Sequence, residues 1–241
     1  MTTTNTLGKL GNRIIINLSV SLIAEKNNLF VNYCSYDEIK ELGIELFIGK
    51  NIYYDSIELN NNNYFNIYEQ ENLIYNLNSD NNYFQTKEIT TFIYNYLNSD
   101  KIKNNIIDKN PFNNRYNNNN DLFIHIRLGD VERYNPGLEY YLKVINMISY
   151  NDLYISTDTK EHYIIKELIN KYPQIKIIEY EPVKTIQFAS TCKYLILSHG
   201  SFSAIIGYLS FYSDIYYSEY QQNKIWYGDI FSIDKWNKII S

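Results

Sequence analysis

The feature that most constrains the fold is a regular alternation of short apolar segments with helix-like segments in the C-terminal half of the chain. Apolar runs predict strands at residues 122–128, 152–156, 175–180, 194–198 and 215–217. Helical periodicity is found between them, at residues 140–148, 160–171, 185–192 and 203–211. Strands that alternate with helices predict a parallel sheet covered on both faces, so we expect an α/β fold.

The N-terminal half gives a weaker pattern. A glycine-bearing turn at residues 7–13 leads into a helical pattern over residues 14–24, and a short strand is expected at residues 29–33. Residues 52–100 alternate Asn-rich patches with apolar clusters and give no clear assignment. Residues 108–121 are polar, contain Pro111 and lack periodicity, so we place a linker there. The predicted domains are residues 1–115 and 116–241.

Charge and composition narrow the class of protein. The net charge is −5 and the sequence pI is about 5.3, which disfavours a nucleic-acid partner because such proteins carry a basic face. Two cysteines, Cys34 and Cys192, are too few for a disulfide framework, and we expect free thiols. The first 13 residues lack an apolar signal core, and no apolar run is long enough for a membrane span. We therefore expect a cytoplasmic protein.

Residues 121–130 carry the clearest chemical signal. Side chains alternate along a strand, so His125 and Arg127 share the face opposite Ile126. Arg127 ends a predicted parallel strand, which is where open α/β sheets bind ligands. Its planar guanidinium donates paired hydrogen bonds that suit a diphosphate. The alternative is structural, with a buried core histidine and an ion pair between Arg127 and Asp130.

A second segment, residues 195–207, runs from a predicted strand through a Ser/Gly turn into a helix. Gly200 allows a close approach of the backbone to a ligand, and Ser201 and Ser203 add hydroxyl donors. The first turn of a helix presents unpaired N–H groups, which makes it an anion site. The alternative is an ordinary serine N-cap.

Other phosphate and metal motifs are absent from the sequence. It contains no Walker loop, no G-x-G-x-x-G, no G-x-S-x-G and no Asp-x-Asp pair. No His/Cys cluster has the spacing of a metal site, so we expect no metal cofactor.

Five segments occur in the order known from one enzyme family. They are Gly8-Lys-Leu-Gly11-Asn12, Tyr83-Phe-Gln-Thr86, the H-x-R-x-G-D segment His125–Asp130, Ser156-Thr-Asp158, and Cys192 through Ser203. Together they resemble the α-1,2-fucosyltransferase family, glycosyltransferase family 11, and its wider clan. Arg13 stands where the family usually has Gln after its Gly-Asn pair.

The resemblance implies a fold and an activity. The fold would be GT-B-like, with two Rossmann-type lobes, an acceptor-side lobe over residues 1–115 and a donor lobe over residues 116–241, and a cleft between them. The activity would be inverting, metal-independent transfer of fucose from GDP-fucose to a glycan acceptor.

The resemblance also implies roles for individual residues. Arg127 would bind the diphosphate and stabilise the leaving group. No general base stands out in the sequence; of Asp130, Glu132 and Glu139, which lie close in sequence, we rank Asp130 first, as a base or as the orienter of Arg127. His125, Ser201, Phe202 and Ser203 would hold the donor in the C-terminal lobe, Asp158 would contact the guanine edge, and Gly11 and Asn12 would line the site from the N-terminal lobe.

Two further readings remain open at this point. One is a transferase with the same fold that uses another nucleotide-sugar donor. The other is a catalytically inactive relative that binds a nucleotide or glycan without turnover.

Overall fold

The computed structural model describes residues 1–219 and 229–240 and shows an α/β protein. The chain forms two compact units, Met1–Ile106 and Ile107–Ser241. The boundary expected between Arg115 and Tyr116 therefore falls inside the second unit. Residues 107–121 belong there because they bond to it: Asn110 donates to the carbonyl of Gln187 at 2.8 Å.

The N-terminal unit is built on a four-stranded parallel sheet of order β2-β1-β4-β3. Its strands are β1 (Thr2–Thr3), β2 (Val31–Asn32), β3 (Ser56–Glu58) and β4 (Asn76–Asn78). Its helices are α1 (Leu10–Asn27), α2 (Tyr36–Glu41), α3 (Tyr64–Tyr68), α4 (Lys87–Leu97) and α5 (Asp100–Lys109), the last of which runs across the unit boundary.

The C-terminal unit is built on a six-stranded parallel sheet. Its strands are β5 (Leu122–Ile126), β6 (Leu153–Thr157), β7 (Lys176–Ile177), β8 (Tyr194–Leu197), β9 (Asp214–Ser218) and β10 (Asn237–Ile239). Its α-helices are α6 (Leu138–Ile145), α7 (Tyr163–Lys171), α8 (Pro182–Ala189) and α9 (Ser201–Tyr208). Short 3-10 helices lie at Asn113–Arg115, Gly129–Tyr134 and Asp229–Phe231.

The strand order of the second sheet is β10-β9-β8-β5-β6-β7. The chain moves outward from β5 to β7, returns to β8 on the other side of β5, and moves outward again to β10. This is the doubly wound order of Rossmann-type sheets, with its topological switch point between β5 and β8. Ligands of such sheets bind outside the carboxyl ends of the strands at that point.

The central strand β5 is buried on both faces, as its alternation predicts. Ile124 and Ile126 lie in an apolar core with α6 and α7, whose members include Val144 and Leu168. On the opposite face, the Phe123 ring lies 6.3 Å from the ring of Phe188 in α8. Residues 124 and 126 thus contact one helix layer while residues 123 and 125 contact the other, which fixes the direction in which Arg127 leaves the strand.

The predicted elements of the C-terminal half are present, with ends that move by a few residues. The helix expected at 185–192 is Pro182–Ala189, because Pro182 supplies its first turn. The helix expected at 203–211 is Ser201–Tyr208, and the strand expected at 175–180 is only Lys176–Ile177. The pattern gave no sign of β10, and in the N-terminal unit it missed β1, β3 and β4.

Both cysteines are free thiols, as expected. Burial raises the pKa of Cys192 to about 12, despite the nearby guanidinium of Arg115, so this thiol is unreactive at neutral pH. Within residues 1–219 and 229–240, no helix is long and apolar enough to cross a membrane.

Candidate functional site

Arg127 follows β5 directly and lies between two carboxylates. Its Nη1 is 2.6 Å from Oδ2 of Asp158, and its Nη2 contacts Oδ1 of Asp130. The Arg127 side chain keeps 19% of its surface exposed, so solvent reaches it. The ion pair with Asp130 that the structural alternative predicts is therefore present, and it sits at an accessible edge of the sheet.

The two carboxylates differ in how firmly they are held. Asp158 follows β6, the neighbour of β5, and its Oδ1 accepts a hydrogen bond from the Leu128 amide at 2.8 Å. Its side chain is 27% exposed, whereas that of Asp130 is 69% exposed. Asp158 therefore bridges two strand ends, while Asp130 lies mostly in water, where an ion pair contributes about 0–1 kcal/mol. Contact of Asp158 with a guanine base stays a prediction, since both of its oxygens bond within the unit here.

Gly129 makes this arrangement possible. A Cβ atom at this position would lie 2.7 Å from Oδ2 of Asp158, and the backbone φ angle is +25°. Any other residue would push against the carboxylate that holds Arg127. The close approach of Asp158 therefore explains why the fifth position of the H-x-R-x-G-D segment is a glycine.

His125 bonds across the switch point. Its Nδ1 lies 2.5 Å from Oγ of Ser203 in α9, and its ring centroid lies 5.1 Å from that of Phe202. Burial, with smaller effects from Arg127 and His199, lowers the pKa of His125 from 6.5 to about 3. The imidazole is therefore neutral at physiological pH and ties β5 to α9.

The pairing of His125 with Ser203 does not make a hydrolytic dyad. A base with a pKa of about 3 is a poor proton acceptor at neutral pH, and Ser203 is fully buried. Because the Ser203 hydroxyl is buried and engaged by His125, its predicted contact with a donor would require a different local conformation. In this conformation the contact between His125 and Ser203 connects the first turn of α9 to β5.

The N-terminus of α9 lies beyond β8, beside the end of β5. Its N-cap is Gly200, with φ of +88° and no side-chain cap bond, so the alternative of a serine N-cap is wrong. Ser201 and Phe202 occupy the first turn, are partly exposed, and have no acidic neighbour in that turn. The first-turn N–H groups carry partial positive charge on the same side of the sheet as Arg127.

Asn135 joins the ends of β5 and β8, and sequence reasoning missed it. Its Nδ2 donates to the Arg127 carbonyl and to the Tyr141 hydroxyl, each at 2.9 Å, and lies 3.4 Å from Oγ of Ser198. Its Oδ1 accepts from the Gly137 amide at 2.9 Å. Nothing in the sequence pattern singles out this residue among so many asparagines.

His162 has a structural role at the start of α7. Its Nδ1 accepts a hydrogen bond from the Ile164 amide and caps α7. Its Nε2 is 2.8 Å from Oε1 of Glu132, in the 3-10 helix that follows Arg127. The His162 side chain is only 12% exposed.

In the N-terminal unit, the two segments singled out by the resemblance meet. Nε2 of Gln85 donates to Oδ1 of Asn12 at 2.8 Å. Asn12 lies in the first turn of α1, and Thr86 is the N-cap of α4. Gly11 and Asn12 therefore lie where the chain leaves β1 for α1, close to the segment that follows β4.

The structure thus brings most of the sequence-predicted residues of the C-terminal unit together. Two sets of side-chain contacts form at the end of β5: Arg127 pairs with Asp130 and Asp158, and His125 contacts Ser203 and Phe202 in the first turn of α9, where Ser201 also lies. Gly11 and Asn12 belong to the other unit and form their own contacts there. Across the described ranges 1–219 and 229–240, no group of His, Cys, Asp or Glu side chains is arranged to hold a metal ion.

No model of a known protein family matches the chain, and no match to a curated protein is found.

Proposed function

We propose that the protein is a glycosyltransferase that binds a nucleotide-sugar donor through Arg127. The donor proposed is GDP-fucose and the acceptor is a glycan. Inversion at the sugar carbon, independence from metal ions and a GT-B-like architecture belong to the same proposal, which the resemblance of the five segments supports.

The observation that carries the proposal is the position and state of Arg127. This residue ends the central strand of a doubly wound parallel sheet at its switch point, where such sheets bind nucleotides. A guanidinium has five N–H donors, and the two carboxylates leave some of them available. The exposed N-terminus of α9 adds a second source of positive potential on the same edge.

The chemistry follows from the charge that develops during transfer. When the bond between the sugar and the diphosphate breaks, negative charge grows on the leaving diphosphate. A fixed guanidinium stabilises that charge most in the transition state, which is the main way in which preorganised donors accelerate reactions. Asp158 keeps Arg127 in place, and the weakly held Asp130 can release it to the ligand.

A thermal-shift experiment tests the donor site. The purified protein is melted with GDP, UDP or GDP-fucose in the presence of EDTA, beside the variants Arg127→Ala and Arg133→Ala. A ligand at 100 times its dissociation constant stabilises a protein by about 2.7 kcal/mol. We expect GDP and GDP-fucose to stabilise the parent and Arg133→Ala, and Arg127→Ala to lose the effect.

Arg133 is the matched control because it is an exposed arginine in the 3-10 helix Gly129–Tyr134, which follows Arg127, and its guanidinium carbon lies 4.6 Å from the centroid of the Tyr134 ring. Stabilisation by UDP instead of GDP would show that the donor is a UDP-sugar and not GDP-fucose. Nucleotide binding without transfer to any of a panel of glycans would indicate an inactive relative. No shift with any nucleotide would overturn the proposal.

A further inference from the structure

We propose that Asn135 is a positioning residue for Arg127, acting through the main chain rather than through the ligand. The inference rests on the proposed function for its catalytic consequence, whereas its structural part concerns the free protein. Asn135 is half-buried and follows the 3-10 helix Gly129–Tyr134.

The hydrogen bonds of Asn135 fix the orientation of its amide. The Gly137 amide donates to Oδ1, so the NH2 group must face the other way, toward the Arg127 carbonyl and the Tyr141 hydroxyl. A flipped amide would place an oxygen against the Arg127 carbonyl and a donor against the Gly137 donor. The side chain therefore has one satisfactory arrangement, and that arrangement includes the Arg127 carbonyl.

The partners of Asn135 belong to the three segments that meet at the site. Arg127 ends β5, Tyr141 lies in α6, and Ser198 follows β8. The Tyr141 hydroxyl also donates to Oγ of Ser198 at 3.2 Å, which closes the network. Tyr141 is fully buried, so the network is anchored in the core under the site.

The consequence concerns the backbone from which the guanidinium projects. Asp158 holds the Arg127 side chain and the Leu128 amide from the β6 side, and Asn135 holds the Arg127 carbonyl from the β8 side. The two bonds together engage both polar groups of the peptide between Arg127 and Leu128. A reacting group displaced by about 1 Å can lose about 100-fold in rate, so loss of one bond should be visible in function.

The variant Asn135→Asp tests this directly. It is isosteric and keeps the acceptor for the Gly137 amide, but it replaces the donor by an oxygen that faces the Arg127 carbonyl. The control is Asn120→Asp, which adds the same charge and removes an amide bond to the Ser149 carbonyl at the amino end of β5. Tyr141→Phe weakens the same network without adding charge, and serves if Asn135→Asp does not fold.

Two measurements are made on each variant. Hydrogen exchange in the free protein reports the Leu128 amide, and calorimetric titration with GDP reports affinity. We expect Asn135→Asp to speed Leu128 exchange about tenfold or more and to weaken GDP binding by a similar factor, with Tyr141→Phe changing both in the same direction by less. Asn120→Asp should match the parent in both.

The two proposals fail in different ways. If the parent does not bind GDP but Asn135→Asp still speeds Leu128 exchange, the positioning role stands and the proposed function fails. Parental exchange of Leu128 in Asn135→Asp, or in Tyr141→Phe where that variant replaces it, overturns the positioning role. This holds even if GDP binding weakens, because Asn135 would then act on the ligand directly.

Discussion

Asp130 and Asp158 touch the same guanidinium, yet the structure gives them different roles. Asp158 is bonded at both oxygens, while Asp130 is mostly exposed and bonds to Arg127 alone among the contacts described. Replacing Asp130 by Asn removes a charge that would compete with the proposed diphosphate for Arg127. Replacing Asp158 by Asn removes the negative charge that pairs with Arg127 and leaves one acceptor oxygen for the two donors, the Arg127 guanidinium and the Leu128 amide.

We therefore expect opposite effects of these two substitutions on GDP binding. Asp130→Asn should bind GDP as tightly as the parent or several-fold more tightly, while Asp158→Asn should bind it about tenfold more weakly, the factor that corresponds to about 1.4 kcal/mol. Isothermal titration with GDP measures both. Equal weakening by the two variants would contradict the distinction. A selective loss of transfer rate in Asp130→Asn would favour Asp130 as the general base.

Gly129 should tolerate no side chain. In Gly129→Ala the new methyl group would lie 2.7 Å from Oδ2 of Asp158, so we expect lower stability by about 1–3 kcal/mol and weaker GDP binding. Gly137→Ala is the control, because that position also has a positive φ angle, +91°, but no atom within 4 Å of the added Cβ. Urea denaturation gives the stabilities. Equal losses in the two variants would mean that backbone strain alone is responsible.

His125 makes stability depend on pH. Its pKa is about 3 in the folded protein against an ordinary 6.5, so between these values the unfolded chain binds a proton that the folded chain does not. Lowering the pH from 6.5 toward 3 should therefore favour unfolding, by at most about 1.4 kcal/mol per pH unit from this group. Urea denaturation of the parent and His125→Gln at pH 7, 5 and 4 measures it. The variant should lose less stability, and parallel losses would contradict the assignment.

At the scale of single elements, the sequence predicted the strands and helices whose apolar pattern extends over enough residues to show a period. Strands β5, β6 and β8 and helices α6 to α9 each bury several apolar side chains, so their apolar positions repeat clearly. Strands β1, β3 and β4 have only two or three residues and include Thr2, Ser56 and Asn76, so no alternation can appear. Strand β10 has three residues, of which two are exposed, so it too is too short to show an alternation of apolar and polar residues.

The site was predictable only in part, for a related reason. Arg127 could be placed because it ends a clear strand in a recognisable segment. Asn135, Glu132 and His162 could not, because their roles depend on contacts between segments up to 63 residues apart in the chain. A bond between a side chain and a distant carbonyl leaves no periodic trace in a sequence.

Helix α9 offers a prediction at the scale of an element. A Cβ atom on Gly207 would lie 2.5 Å from Cη2 of Trp236 and 3.0 Å from Cδ1 of Leu197. Gly207→Ala should therefore push α9 away from β8 and cost about 1–3 kcal/mol. Thermal unfolding of Gly207→Ala beside Ala204→Gly, which adds no atoms to the same helix, measures this. An unchanged melting temperature in Gly207→Ala would show that Trp236 moves aside without cost.

At the scale of the whole molecule, the two units have separate sheets, and the residues proposed to grip the diphosphate all belong to the second. A fragment of residues 107–241 should therefore keep measurable affinity for GDP, provided that circular dichroism shows it folded. The full-length protein and the Arg127→Ala fragment are the comparisons. A folded fragment without affinity would show that residues of the first unit, such as Gly11 and Asn12, are needed for nucleotide binding.

The burial of β5 limits which positions near Arg127 can change during evolution. Arg127 projects from the strand that has β6 and β8 as neighbours and helices on both faces, whereas the turn Gly129–Tyr134 that follows it is exposed or half-buried. Surface turns accept insertions and substitutions that a buried strand does not. Under the proposed function, changes in that turn can alter the choice of acceptor while Arg127, anchored at the end of β5, keeps its place at the donor.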